Sequence, residues 1–270
     1  MKTAPTALLA LLIFPSRPAA ALPVYKVMFE AKYNYPVNCT LCHRRDTLDL
    51  VAYGRAFYER ANSFKAFEAI EDLDSDRDGA SNLSEINAKS DPSDETSFPG
   101  RLGRWLNGVA ALQAPSTQLR KLFPEAGRFE ARSGANLDEE TGRRIELTLG
   151  ASLRDEDLYS VYYLAFGKND AALGSALYCV TQGQTPYIFL LGLRSSGRIA
   201  GLLRVKAPAK RKFLRQFQGI SWRDLDGIEA IPRHFQAGAR RIVEAVRRGA
   251  LILSARTGAP LLDGDPAERR

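Results

Sequence analysis

The five residues Cys39-Thr40-Leu41-Cys42-His43 constrain this chain more than any other stretch. C-x-x-C-H is the attachment sequence for a c-type haem. Two thiols each form a thioether with a haem vinyl group, and the adjoining imidazole ligates the iron from one face. A small domain carrying the motif has to wrap the macrocycle in aromatic and aliphatic side chains. A bare C-x-x-C would also serve a dithiol redox pair or half of a zinc site. The chain has three Cys and two His. A zinc site would need two further ligands, and no second Cys pair exists to supply them. Cys179 stands alone in the apolar run 177–180, where a buried small hydrophobe is expected. Haem c is therefore the expected cofactor, with Cys39 and Cys42 as its attachment points and His43 as its iron ligand.

The compartment supports that choice. Lys2, the apolar run 7–14 and Ala19-Ala20-Ala21 read as a secretory leader over residues 1–21, so the mature chain is expected to begin near Leu22. The apolar run is about eight residues, against roughly twenty needed to span a bilayer. The expected location is periplasmic or otherwise extracytoplasmic. An exported chain using cysteine for stability would carry an even bridging set, which three is not. The formal charge of +7 falls to about +5 when Lys2 and Arg17 leave with the leader, an excess suited to surface steering and not to nucleic acid.

Residues 22–99 read as a mainly helical module. Leu50, Tyr53, Phe57, Ala61 and Phe64 recur at helical spacing, with Tyr58, Phe67 and Ile70 widening the stripe, which predicts one amphipathic helix around the haem. Met28 is the upstream candidate for the second axial ligand, and core packing is its alternative. Downstream, Asp74, Asp76, Asp78, Asn82 and Glu85 fill positions 1, 3, 5, 9 and 12 of a calcium loop. The Ala80 carbonyl stands at position 7 and Gly79 turns the chain at position 6. Three carboxylates within five residues repel one another unless a cation sits among them. Ser81 replaces the aliphatic residue that pairs EF-hand loops, so a lone, structural loop is expected. The stretch resembles the single calcium loops of thrombospondin type 3 and dockerin-like repeats.

The breaker-rich stretch 92–100 predicts a domain boundary. Beyond it, residues 103–255 read as a second module and 256–270 as a tail. Segments 159–166, 173–181, 187–194 and 199–205 predict four strands joined by short hairpins, flanked by helices over 102–112, 138–149 and 237–253. The expected class is α+β, a helical haem and calcium module followed by an antiparallel-sheet domain.

From about residue 119 to 253 this second module resembles the FMN-binding domain family, which includes flavin-carrying subunits of bacterial membrane quinone oxidoreductases. The resemblance is carried by Leu119-Arg-Lys-Leu-Phe-Pro-Glu-Ala126, Ile188-Phe-Leu-Leu-Gly-Leu193, Phe213-Leu-Arg-Gln-Phe-Gln-Gly219 and Ile228-Glu-Ala-Ile231. It implies a flavin site after Ile231, where family members carry a Ser-Gly-Ala-Thr motif. This chain reads Pro232-Arg233-His234-Phe235-Gln236-Ala237-Gly238 there, so no hydroxyl is available for a covalent bond to the flavin phosphate. Noncovalent FMN would fall to Arg233 and His234 for the phosphate and Phe235 for stacking. Between Lys206 and Arg248 stand eleven Lys or Arg against four Asp or Glu. That basic segment is a solvated surface, a seat for a phosphate or haem propionates, or a contact for an acidic partner or membrane surface. The chain as a whole also resembles an exported monohaem cytochrome fused to a divergent flavin domain. The expected function is electron transfer to a redox partner protein, such as a membrane respiratory complex. Two alternatives stand beside it: a flavocytochrome oxidoreductase using FMN, and a non-redox docking module on such a complex.

Overall fold

The computed structural model describes residues 22–45, 47, 49–60, 63–101, 111–134, 137–183, 186–229 and 235–258. The leader 1–21, most of the helix expected at 102–112, Arg233 and His234, and residues 259–270 lie outside them. The fold is α+β, as expected: helices accompany one five-stranded antiparallel sheet.

The first module is helical. Helix α1 (Pro23–Tyr33) starts on a proline whose fixed φ and missing N–H suit the first helical turn. It ends on Asn34 in the left-handed region. The expected single helix over the aromatic stripe is two short ones, α2 (Ala52–Tyr58) and α3 (Phe64–Glu68). Ser63 separates them as an N-cap, its hydroxyl accepting from Ala66 N at 3.2 Å. The break lets Phe57 and Phe67 stack at 4.3 Å between ring centroids, with Phe29 edge-on to Phe67 at 5.7 Å. Helix α4 (Asn82–Ala88) follows the acidic loop. Where the domain boundary is expected, Asp91 accepts from Ser93 and Asp94 from Thr96 in successive Asx turns. Ser97 is buried there and takes the Asp91 N–H at 2.9 Å.

The second module runs α5 (Ser116–Leu122), β1 (Arg128–Ser133), α6 (Glu139–Leu149), α7 (Asp155–Leu158), β2 (Val161–Phe166), β3 (Ala172–Val180), β4 (Ile188–Arg194), β5 (Ile199–Lys206), α8 (Arg211–Arg215) and α9 (Gln236–Thr257). The strands lie in sequence order, each antiparallel to the next. Four match the expected segments within two residues, whereas β1 was not anticipated. Its outward Arg128, Glu130 and Arg132 gave it a polar composition, which is how an edge strand avoids pairing with other chains. Helix α9 is longer than expected and takes in the start of the supposed tail.

Strand β4 is buried at every position but Arg194 because both faces of the sheet are covered. On one face, Ile242, Val246 and Ala250 of α9 join Leu177, Phe189 and Leu191. Gly249 permits this approach, since a Cβ there would lie 2.4 Å from Cys179 Sγ. On the other face, Leu122 of α5 rests on Gly192 and Gly201, which are register partners. Helix α1 packs between the modules: Val27 joins the α5-side core, and the Phe64 N–H donates to Asp155 Oδ2 at 2.9 Å.

Candidate functional site

The C-x-x-C-H segment forms a tight turn because its own backbone closes it. The N–H groups of Cys42 and His43 both donate to the Cys39 carbonyl, at 3.2 and 2.9 Å. The chain then doubles back, with Arg44 N bonded to Asp49 O at 2.9 Å, Val51 N to Cys42 O at 3.0 Å, and a bridge between His43 and Leu50. Helix α2 lies directly over the turn. A Cβ on Gly54 would stand 2.2 Å from the Cys42 carbonyl oxygen, so only glycine allows the two backbones to meet.

Cys39, Cys42 and His43 all line one cleft. Its wall is mostly apolar, with Tyr25 and Phe29 of α1, Phe57 of α2 and Phe67 of α3 on one side. The sheet module also contributes to the lining, through Val180, Ile188 and Lys206. The cleft holds about 110 Å³ and opens to solvent at its mouth, a volume below the roughly 300–1,000 Å³ of small-molecule and cofactor pockets.

The chemistry of the donor set fits a covalently held haem better than the alternatives. The three cysteines are free thiols. Burial, then the neighbouring Cys39 and Asp91, push the Cys42 thiol up to about 12, which leaves it protonated at neutral pH and a poor partner for disulfide exchange. Among the described residues, the only three His, Cys, Asp or Glu side chains that converge at metal-binding spacing are Asp74, Asp76 and Asp78. The Cys39, Cys42 and His43 side chains therefore do not gather as zinc ligands would. Met28 is fully buried in the aromatic core and is not on the cleft wall. Cys179 is buried beneath α9, and burial raises its thiol to about 12 as well.

The acidic loop has the backbone of a cation loop. Asp74 accepts from Arg77 N at 2.7 Å and from Gly79 N at 3.0 Å, and Asp78 accepts from Ala80 N at 2.8 Å. Gly79 takes φ +97°, the turn that position 6 demands. Burial, with Asp76 and Asp78 next, raises the Glu85 carboxyl to about 8. Asp76 rises to about 6, again through burial and then Asp78. One oxygen each of Asp76, Asp78 and Glu85 is buried without a hydrogen-bond partner. Unpartnered carboxylate oxygens turned toward like charges fit a hard cation with oxygen ligands. Asn82 has another duty: fully buried, it donates to Ile70 O at 2.6 Å and accepts from Ser75 N at 3.3 Å, fixing the base of the loop.

The expected flavin residues fare differently. Arg233 and His234 lie outside the described residues. Phe235 packs edge-on to Phe213 at 5.9 Å and beside Tyr187 at 6.3 Å, with Gly238 against its ring. Its ring is thus engaged with protein. The basic segment is not one open face either. Arg248 is buried in an ion pair with Asp157 at 2.9 Å, Arg241 lies over the Tyr187 ring at 4.6 Å, and Arg247 meets Asp226 at 2.5 Å.

Sequence reasoning missed Gly54, and it named Lys206 only as the first residue of the basic segment. A glycine inside a helical pattern was a usable sign of close approach. Nothing local tied Lys206 to this cleft, because a strand end of the other module brings it there. No protein-family model, curated protein or solved structure matches the chain.

Proposed function

We propose that this chain is an exported electron-transfer protein that holds one covalent haem c in the cleft beside Cys39, Cys42 and His43. The observation that carries the proposal is that both thiols and the imidazole share a single aromatic-walled cleft. Cys39 and Cys42 would hold the haem through thioether bonds, and His43 would supply a ligand to its iron. Tyr25, Phe29, Phe57 and Phe67 exclude water from the flat apolar body of the cofactor. When bound, the haem supplies reversible one-electron chemistry. The acidic loop holds a calcium ion that ties the first module together, and the partner is a redox protein. No helix among the described residues is long and apolar enough to cross a membrane.

Expression with a c-type maturation system tests the proposal. The purified protein is expected to give a pyridine haemochrome spectrum and a haem-stained band on a denaturing gel. Cys39→Ala with Cys42→Ala abolishes both. An unstained wild-type band overturns the proposal, and a flavin absorbance band in the same protein would redirect it to a flavocytochrome.

A further inference from the structure

We infer that Lys206, at the end of β5, is the cation that seats a carboxylate of the cofactor, so that the sheet module forms part of the haem site. The inference rests on the haem reading above. Its basis is a mismatch of charge in the cleft. Among the described residues lining it are two lysines and no Asp or Glu. Lys26 is already committed to Glu30 in an ion pair, and Glu30 also accepts from Val37 N at 3.1 Å. The Lys206 side chain has no hydrogen-bond or ion-pair partner among the described residues, although the residue is only half-exposed.

A cation held beside an apolar wall without a partner gives up hydration and regains nothing unless a ligand brings the opposite charge. Lys206 is also well placed to be fixed. It stands opposite Ile188 in the β4–β5 register, where the pairing shifts between Ile188 and Phe189. The register anchors its Cα, and the four-carbon stem can lie along Ile188 while the ammonium reaches the mouth. The complementary ligand is a flat apolar body with an anionic edge. Haem has that form: it would offer an apolar ring to the aromatic wall, two vinyl groups to the thiols, and two propionates that need cations.

The test uses the full chain, produced without maturation and titrated with mesohaem, whose saturated side chains cannot form thioethers, and with mesohaem dimethyl ester, which lacks the carboxylates. Soret absorbance reads the affinity. Wild type is expected to prefer the free acid over the diester by roughly tenfold, the scale of one hydrogen bond to a charged group. Lys206→Gln removes most of that preference, Lys206→Arg keeps it, and Lys26→Gln leaves it largely intact. Equal affinity of wild type for acid and diester, or an unchanged preference in Lys206→Gln, overturns the role of Lys206 while leaving the haem reading standing. If wild type binds neither compound and no covalent haem forms on maturation, the haem reading itself falls, and the inference falls with it. In the matured protein, Lys206→Gln is expected to have a lower midpoint potential, because losing a nearby cation favours ferric haem. An unchanged potential also overturns the inference.

Discussion

The two modules handle buried carboxylates in opposite ways. In the sheet module, Asp157 is almost fully buried and receives two guanidinium groups, Arg248 at 2.9 Å and Arg154 at 3.2 Å. In the helical module, Glu85 and Asp91 are just as hidden, yet serine side chains are their neighbours and no cationic residue pairs with them among the described residues. The sheet module also closes its core over both faces of a five-stranded sheet. The helical module has helices of at most eleven residues, wrapped around an aromatic cluster and open at a cleft. One module pairs its buried carboxylate with its own guanidinium groups. The other leaves its buried carboxylates beside serines and its aromatic core open at a cleft.

The largest expected effect tests the self-sufficient side. Arg248→Leu leaves Asp157 buried with Arg154 alone and is expected to cost about 3 kcal/mol in denaturant unfolding, the low end for breaking a buried pair. A cost below about 1 kcal/mol would break the comparison, since the pairing would then be incidental. Gly54→Ala comes next. Its methyl group would collide with the Cys42 backbone, with an expected cost of roughly 1–3 kcal/mol and less haem-stained product on maturation. Gly227→Ala, which meets nothing within 4 Å, is the control and leaves both readouts unchanged.

Calcium removal sharpens the other side. For a loop with dissociation constant of roughly 10⁻⁴–10⁻³ M, 1 mM calcium adds about 0.4–1.4 kcal/mol. Chelation is therefore expected to lower the thermal midpoint of the helical module alone, read by calorimetry. The pH dependence in chelator follows from Glu85, which rises from 4.5 to about 8, and Asp91, which burial raises from 3.8 to about 6. A folded-state value above the unfolded one means that folding takes up protons. The stability from these groups is thus full below about pH 4 and is lost as pH rises through 6 and then 8. Calcium should flatten that slope; a slope unchanged by calcium would separate the loop from the ion. The smallest effect is expected from Arg143→Ala, which removes an exposed pair with Glu139 and should cost no more than about 0.5 kcal/mol.

Much of this design was legible before any fold was drawn. The motif turn at Cys39, the acidic loop at Asp74, four of five strands and the closing helix all depend on residues a few positions apart. Where the reading failed, the deciding contact was distant or the pattern was masked. Strand β1 carries outward charges because it is an edge. The single helix expected over 50–64 is broken because stacking Phe57 on Phe67 is met by two short helices with a serine cap between them.

The sequence by itself determined which chemistry the chain can offer: two thiols beside an imidazole, and carboxylates at a cation's spacing. Backbone turns of three to twelve residues are governed by local hydrogen bonds and the φ preferences of residues such as Gly79. Only the tertiary structure decided what surrounds those groups. It set Gly54 against Cys42, Arg248 against an Asp157 that lies 91 positions away, and Lys206 on the same cleft as Cys39. Those meetings follow from how α1, the helical core and the sheet bury their apolar faces against one another. That burial depends on the whole chain, so no short stretch of sequence records it.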